Sequence, residues 1–446
     1  MGKLKRETEN SKPDKRDRHS QQKEISSIKF QNGESEMDAL EGVYKKIDSF
    51  SSEIIEMQRE LTARPALSPE NGGSGEHDKA DYVKEQLLLL KPDSFNEIHA
   101  PDKRAANGYR PNLVAAWEGN QGGKAIWVLC HLDIVPPGDL CLWSGDPYKV
   151  RVEGDKIIGR GVEDNQHGIV SSYFAVKGIL DLKQAFPGKI GLILVADEEI
   201  GSKYGLKYLL KERRDLFKED DLIIVPDGGN EEGTMIETAE KSMLWLKFTI
   251  IGAQCHASTP EKGKNSLFGV ATLILELNKL KEKFDLKNPV FKPQESTFEP
   301  TKIEANVPNV NTIPGRDVFY MDCRILPDYK VDEIIEEVAA ISERLAKELN
   351  LKIDVEAIHR QDGPPPTPAN SPVVTALARA IKRVTGLTAR PIGIGGGTVA
   401  AFFREAGLPA AVWSTISPTA HQPNEYCLIK NIITDAKIMA TVFLSS

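Results

Sequence analysis

Three short apolar runs in the first half of the chain each stop beside an acid or a histidine. Ala125 to Cys130 runs into His131-Leu132-Asp133, Ile190 to Ala196 is followed closely by Glu198-Glu199, and Leu222 to Val225 by Asp227. Runs this short and this apolar read as strands buried on both faces. Between them lie stretches with helical spacing, Ile169 to Leu182 and Leu206 to Leu210. Strands alternating with helices imply an α/β fold with a mostly parallel central sheet covered by helices. In such a sheet the parallel strands end on one edge, where α/β proteins bind ligands.

Two further groups fall at comparable places. Asp164 closes Gly159-Arg160-Gly161-Val162-Glu163-Asp164 just ahead of a helix, and His421 lies in the loop after the strand Ala410 to Trp413. Taken singly, each residue has an ordinary reading: a structural histidine, an Asp-Gly-Gly turn, a solvated Glu-Glu pair. Gathered on one rim without a counter-charge, these carboxylates would repel and raise one another's pKa. They call for cations, and imidazole plus carboxylate is the donor mix that suits zinc and related ions. His19, His77, His99, His167 and His359 have no such context and read as ordinary histidines.

Over residues 241–358 the pattern changes. Strands at Leu244 to Ile251, Lys302 to Val307, Val318 to Leu326 and Lys352 to Ala357 enclose helices at Leu267 to Phe284 and Val331 to Leu349. The order β-α-β-β-α-β is that of a ferredoxin-like α+β unit, here inserted into the first domain. A proline-rich passage, Gly363 to Pro368, leads back. Gly395 to Thr398 then forms a glycine-rich turn before a helix. The expected organisation is a polar tail over 1–37, a discontinuous metal-binding catalytic domain over 38–240 and 359–446, and an inserted lid or dimerisation domain over 241–358. The tail is so rich in charged and small polar residues that it is expected to be disordered.

The net charge of −8 provides no basic footprint, which argues against nucleic acid as a partner. No apolar run reaches the roughly 18 residues of a membrane span. Five dispersed cysteines without a CxxC pair argue against a disulfide framework and for a reducing cytoplasm.

The chain resembles the family of co-catalytic zinc aminoacylases and carboxypeptidases, which includes succinyl-diaminopimelate desuccinylase, acetylornithine deacetylase, glutamate carboxypeptidase and dipeptidases. The matching stretches are HLDIVPPGD from His131, WSGDPYKV from Trp143, GRGVEDNQ from Gly159, ADEEIGS from Ala196, PDGG from Pro226, GAQCHASTPEKGKNS from Gly252, DCRILPD from Asp322 and GGGT from Gly395. The resemblance implies two divalent ions, most simply Zn2+ with Co2+ as the alternative. Asp164 then bridges them, with His131 and Asp227 on one ion and Glu199 and His421 on the other. Asp133 orients His131 through its second ring nitrogen. Glu198 serves as general base and acid, passing a proton from the attacking water to the leaving amine. His256 stabilises the oxyanion, usually in the active site of a dimer partner. Asn265, Arg324 and the loop residues Gly396, Gly397 and Thr398 are candidate substrate contacts. Arg324 has the alternative of pairing with a neighbouring acid, and the loop that of a plain tight turn. Relatives also carry a cis peptide after the bridging Asp.

Two departures bear on specificity. Asn165-Gln166 follows Asp164 where many deacylases carry a lysine two residues on, and Trp413-Ser414-Thr415-Ile416 replaces a Gly-Pro-type strand end. The expected activity is hydrolysis of an N-acyl amino acid of the desuccinylase or deacetylase type through metal-activated water. A dipeptidase or carboxypeptidase is the alternative within the class. A non-catalytic binding protein on the same fold is the alternative outside it.

Overall fold

The computed structural model describes residues 38–120 and 122–445. The disorder expected over 1–37 lies outside the described residues. In chain order the principal strands are β1 (Ser94–Pro101), β2 (Tyr109–Glu118), β3 (Ala125–His131), β4 (Lys189–Val195), β5 (Leu222–Asn230) and β6 (Met235–Glu240). They continue as β7 (Ser242–Ile251), β8 (Thr297–Ile303), β9 (Arg316–Ile325), β10 (Lys352–Gln361), β11 (Arg390–Ile394) and β12 (Ala410–Thr415). An eight-stranded sheet has the order β1-β2-β4-β3-β5-β12-β6-β11. Its centre is parallel, β4 with β3, β3 with β5 and β5 with β12. The antiparallel pairs flank it, β1 with β2, β2 with β4, and β12 with β6. The expected α/β class, mostly parallel and helix-covered, is the fold observed.

Residue alternation along β3 sorts the two cores. Ile126, Val128 and Cys130 face one side, with helices Ser51–Thr62, Gln166–Asp181, Pro372–Thr385 and Ile429–Ser445 packed on them. Trp127 and Leu129 face the other, against Leu206–Arg213 and Ala400–Glu405. Burying each such aliphatic side chain stabilises by about 1.5–3 kcal/mol. β3 therefore cannot shift by one residue without exchanging its two faces, and this fixes where His131 emerges.

The second sheet has four strands in the order β8-β9-β7-β10, every pair antiparallel. Read from β10, it is the 4-1-3-2 order of a ferredoxin-like unit. Helices Ser266–Leu277 and Val331–Glu348 bury Val270, Leu273, Ile334 and Val338 against Leu246, Phe248, Phe319 and Met321.

Two elements here differ from the sequence expectation. The strand expected at Lys302 to Val307 is β8, several residues earlier, because most of it is exposed and lacks apolar alternation. The helix expected over Leu267 to Phe284 ends at Leu277 and resumes as the short Leu280–Lys283. Strand β10 runs on to Gln361 before the proline-rich return. Among the described residues no helix is long and apolar enough to cross a membrane.

Candidate metal centre

The ends of β3 and β4 and the middle of β5 bring His131, Glu198, Glu199 and Asp227 to one rim. Asp227 does not follow its strand, because β5 continues past a register shift to Asn230 alongside Ser414 and Thr415. Asp164 arrives from the loop ahead of helix Gln166–Asp181. Its peptide bond to Asn165 is cis, as the resemblance implies. Gly168 lets that helix start against β5, since a Cβ there would stand 2.8 Å from the Pro226 ring and 2.9 Å from its carbonyl.

Asp164 is the meeting point. Its Oδ1 lies 2.9 Å from His131 Nε2, and its Oδ2 lies 3.0 Å from His421 Nε2. His131 Nε2 is also 3.4 Å from Asp227 Oδ1, and His421 Nε2 is 3.1 Å from Glu199 Oε2. Donor atoms of His131, Asp164 and Glu199 lie within 4.8 Å of one another, as do those of His131, Glu198 and Asp227. Asn165 Nδ2 donates to Asp227 Oδ1 at 2.8 Å and to the Pro226 carbonyl at 2.7 Å, which fixes the Asp227 rotamer.

Asp133 divides its contacts. Its backbone carbonyl is 3.0 Å from His131 Nδ1, while its carboxylate Oδ1 stands farther off at 3.5 Å. The carboxylate instead accepts the backbone N–H groups of Glu198 and Glu199, each at 3.0 Å. It thus holds the turn that presents both glutamates. The same turn contains Asp197 at a φ of +67°, a left-handed conformation uncommon for a side chain with a Cβ. Its cost is offset by Asp197 Oδ2 accepting from Tyr204 N at 2.9 Å and by Arg110 Nη1 at 3.4 Å from Oδ1.

Burial and mutual repulsion set the protonation of the rim. Burial, then Asp227, raises the Glu198 carboxyl well above its ordinary value, and burial also raises Glu199 and Asp227. Burial opposes charge on His131, but Asp227, Asp133 and Asp164 outweigh it and raise its pKa well above the usual range. Asp164 and Glu199 hold His421 at about 10. Burial raises Asp164 and Asp133, yet their histidine partners win and both carboxyls are lowered. Two histidines therefore face five carboxyl groups, those of Asp133, Asp164, Glu198, Glu199 and Asp227, and burial and mutual repulsion resist charge on three of these, Glu198, Glu199 and Asp227. That unfavourable crowding of acids, with imidazole and carboxylate donors converging on Asp164, fits divalent cations of the zinc type.

The remaining sequence candidates lie elsewhere. His256 sits on the inserted domain, in a ribbon where Cys255 and His256 pair with Ile313 and Thr312. It is exposed, and its Nδ1 accepts from Ser258 N at 3.1 Å rather than touching the rim. Asn265 caps helix Ser266–Leu277, its Oδ1 accepting from Leu267 N at 3.0 Å. Arg324 pairs with Asp322 through Nε at 2.8 Å and Nη2 at 3.0 Å, and donates to the Gly395 carbonyl at 2.8 Å. Thr398 Oγ1 donates to Glu240 Oε1 at 2.7 Å, beside the buried Arg404. Gly397 approaches Gln361 so closely that a Cβ would stand 2.4 Å from its amide nitrogen, whereas Gly396 faces open space. The glycine loop thus gathers with Glu240, Arg404 and Arg324, not with the six rim side chains.

Sequence reasoning passed over Glu425. This buried carboxylate accepts from Glu163 N at 3.0 Å and Asp164 N at 3.1 Å through Oε1, and from Gly161 N at 3.1 Å and Arg160 Nη1 at 2.6 Å through Oε2. Strand Tyr426–Leu428 pairs with Lys156–Ile158 and sets it there. The available signal was an acid four residues beyond His421 with an arginine in the Asp164 loop to match.

The sequence profile of peptidase family M20/M25/M40 matches residues 127–445. An uncharacterised metallohydrolase of Methanocaldococcus jannaschii is 41% identical over 403 residues, covering 86% of this chain and 97% of its own. A succinyl-diaminopimelate desuccinylase of Nitratiruptor is 27% identical over 375 residues, covering 84% of this chain and 94% of its own. Human carnosine dipeptidase 1 superposes with a TM-score of 0.66 at 18% identity, covering 91% of this chain and 98% of its own. Aminopeptidase PepT of Bacillus cereus gives 0.68 at 20% identity, covering 88% and 98%. At these identities the likeness to the solved structures is one of fold.

Proposed function

The chain belongs to peptidase family M20/M25/M40 and is a metallohydrolase of amide or peptide bonds, and we propose that it cleaves the amide of an N-acyl amino acid. The observation that carries this reading is the Asp164 carboxylate, with one oxygen on each of two histidines, and Glu198 clustered with His131 and Asp227 on the same rim. His131 and Asp227 would hold one divalent ion and Glu199 and His421 the other, with Asp164 available to both. The donor set favours Zn2+, with Co2+ as the alternative. When bound, the ions polarise the scissile carbonyl and lower the pKa of the attacking water.

The chain's own groups do the rest. The Glu198 carboxylate takes a proton from the attacking water and returns it to the leaving nitrogen. Asp133 holds Glu198 and Glu199 by their backbone N–H groups and His131 by its ring. His256, exposed on the insert and without contact to its own rim, supplies an oxyanion donor across a homodimer. The dimer reading is supported by the exposed Phe268 and Leu275 on helix Ser266–Leu277 of the insert. A cytoplasmic setting is supported by five free cysteines, of which Cys130, Cys323 and Cys427 are buried. Asn265, Arg324, Gly396, Gly397 and Thr398 are the proposed substrate contacts.

The acyl group is of the succinyl or acetyl type, a reading supported by the desuccinylase relatives. A dipeptidase or carboxypeptidase is the second reading. It is supported by the dipeptidase and aminopeptidase among the structures that share this fold. The metal-reconstituted protein should release free amine from N-succinyl- or N-acetyl-amino acids. Release from dipeptides alone would select the second reading, and release from neither would defeat both.

A further inference from the structure

His131 and His421 are held in different ways. The His131 ring is buried and braced at Nδ1 by the Asp133 carbonyl at 3.0 Å. The His421 side chain is half exposed, and among the described contacts its ring meets only Asp164 and Glu199. Its position relative to Asp164 is therefore set by the loop that carries it.

That loop is anchored at both ends to the segment bearing Asp164. At its far end Glu425 accepts the backbone N–H groups of Gly161, Glu163 and Asp164. At its near end Ser417 N donates to Glu163 Oε1. Behind Ser417 lies a buried cluster that the proposed chemistry does not use. His167, in the first turn of helix Gln166–Asp181, has Nε2 at 3.0 Å from Asp435 Oδ2 and Nδ1 at 3.5 Å from Glu163 Oε2. Asp435 in turn accepts from Thr415 N at 2.7 Å, Thr415 Oγ1 at 2.6 Å and Ser414 Oγ at 3.0 Å. All three ionisable side chains are buried.

We propose that Glu163, His167 and Asp435 are positioning residues that fix the separation of Asp164 and His421, and so the affinity of the metal position these two share with Glu199. The cluster joins the two sides directly. Glu163 and His167 flank Asp164 along the chain, Ser414, Thr415 and Ser417 belong to the end of β12 and the start of the His421 loop, and Asp435, from helix Ile429–Ser445, binds Ser414 and Thr415. Burial works against charge on His167, but the Asp435 and Glu163 carboxylates hold its pKa at about 10; Nε2 donates to Asp435, and Nδ1 lies 3.5 Å from Glu163 Oε2 as an ion pair. The first metal position draws on His131, Asp227 and the same Asp164, whose backbone Glu425 holds independently of the cluster, but not on His421.

The inference rests on the proposed metal ligands, and the test separates the two. Zn2+ is titrated calorimetrically into the chelator-treated full chain and its variants. Two equivalents bound by the wild type uphold the ligand reading, and none would defeat it before the cluster is considered. Glu163→Ala should weaken the second equivalent about 10–100-fold, as loss of an outer-shell partner does, and leave the first unchanged. Glu163→Gln keeps a carbonyl acceptor for Ser417 N and should restore most of that affinity. Should Glu163→Ala fail to fold, His167→Asn carries the same expectation through Asp435. Equal weakening of both equivalents would mean general destabilisation, and no weakening of either would mean no positioning role. Either outcome overturns the proposal.

Discussion

Replacing Asp133 separates the work of its carboxylate from that of its backbone. The His131 brace is the Asp133 carbonyl, which any substitution retains. The carboxylate accepts two N–H groups, from Glu198 and Glu199, at 3.0 Å each. Asp133→Ala leaves both donors without a partner in a buried turn, at about 1–3 kcal/mol apiece, or roughly 2–6 kcal/mol in all. Asp133→Asn keeps one acceptor oxygen and turns a donor toward the other N–H, so it should destabilise by about half as much. In both variants the turn that presents Glu198 and Glu199 is held less firmly, and turnover should fall about 10–100-fold, the range for a partner that orients reacting or ligating groups. Thermal unfolding and amine release, measured together on both variants, check this. If Asp133→Ala melted with the wild type, or turned over like it, the assignment of Asp133 as holder of the glutamate turn would be wrong.

Three other outcomes are expected. Glu198→Ala should lower turnover by about 10²–10⁴-fold, the usual weight of a general acid–base, while metal content stays near that of the wild type; loss of metal instead would make Glu198 a ligand. His256→Ala should slow turnover without metal loss, as steady-state rates and metal analysis will show, whereas unchanged kinetics would return it to an ordinary surface histidine. In the metal-free protein His421 is raised to about 10 by Asp164 and Glu199, above its unfolded value near 6.5. Its ion pairs therefore stabilise fully below about pH 6.5 and are lost as the pH rises through about 10. Melting curves of chelator-treated protein across that window should fall with pH, and zinc binding should release protons.

The rim was legible because each of its parallel strands contains a plain apolar run that stops at or just before a polar group, even where, as in β5, the strand itself continues. β3 reads directly from Ala125 to Cys130, and its buried alternation leaves one register for His131. β6 and β11 were not legible. β6 buries Glu237, Thr238 and Glu240, whose polarity is answered by Arg404 from a helix far along the chain. β11 is short and contains a proline and a glycine. β8 was displaced because its exposed side chains lack any periodicity to place it. The same reason hid the ion clusters. Glu425 answers Arg160, and Asp435 answers His167, across more than 260 residues, a distance over which single-sequence patterning carries no signal. Asn265 had a local signal, an N-cap before an apolar helix, that its motif setting obscured.

The central claim is that the Asp164 rim works as a divalent-metal hydrolase. It is tested most directly by stripping the protein with a chelator and following amine release from N-acyl amino acids and dipeptides as Zn2+ is added back. The expected result is no release from the stripped protein and activity that rises to a plateau at two equivalents of metal per chain. Full activity in the stripped protein, or none at any metal concentration, would contradict it.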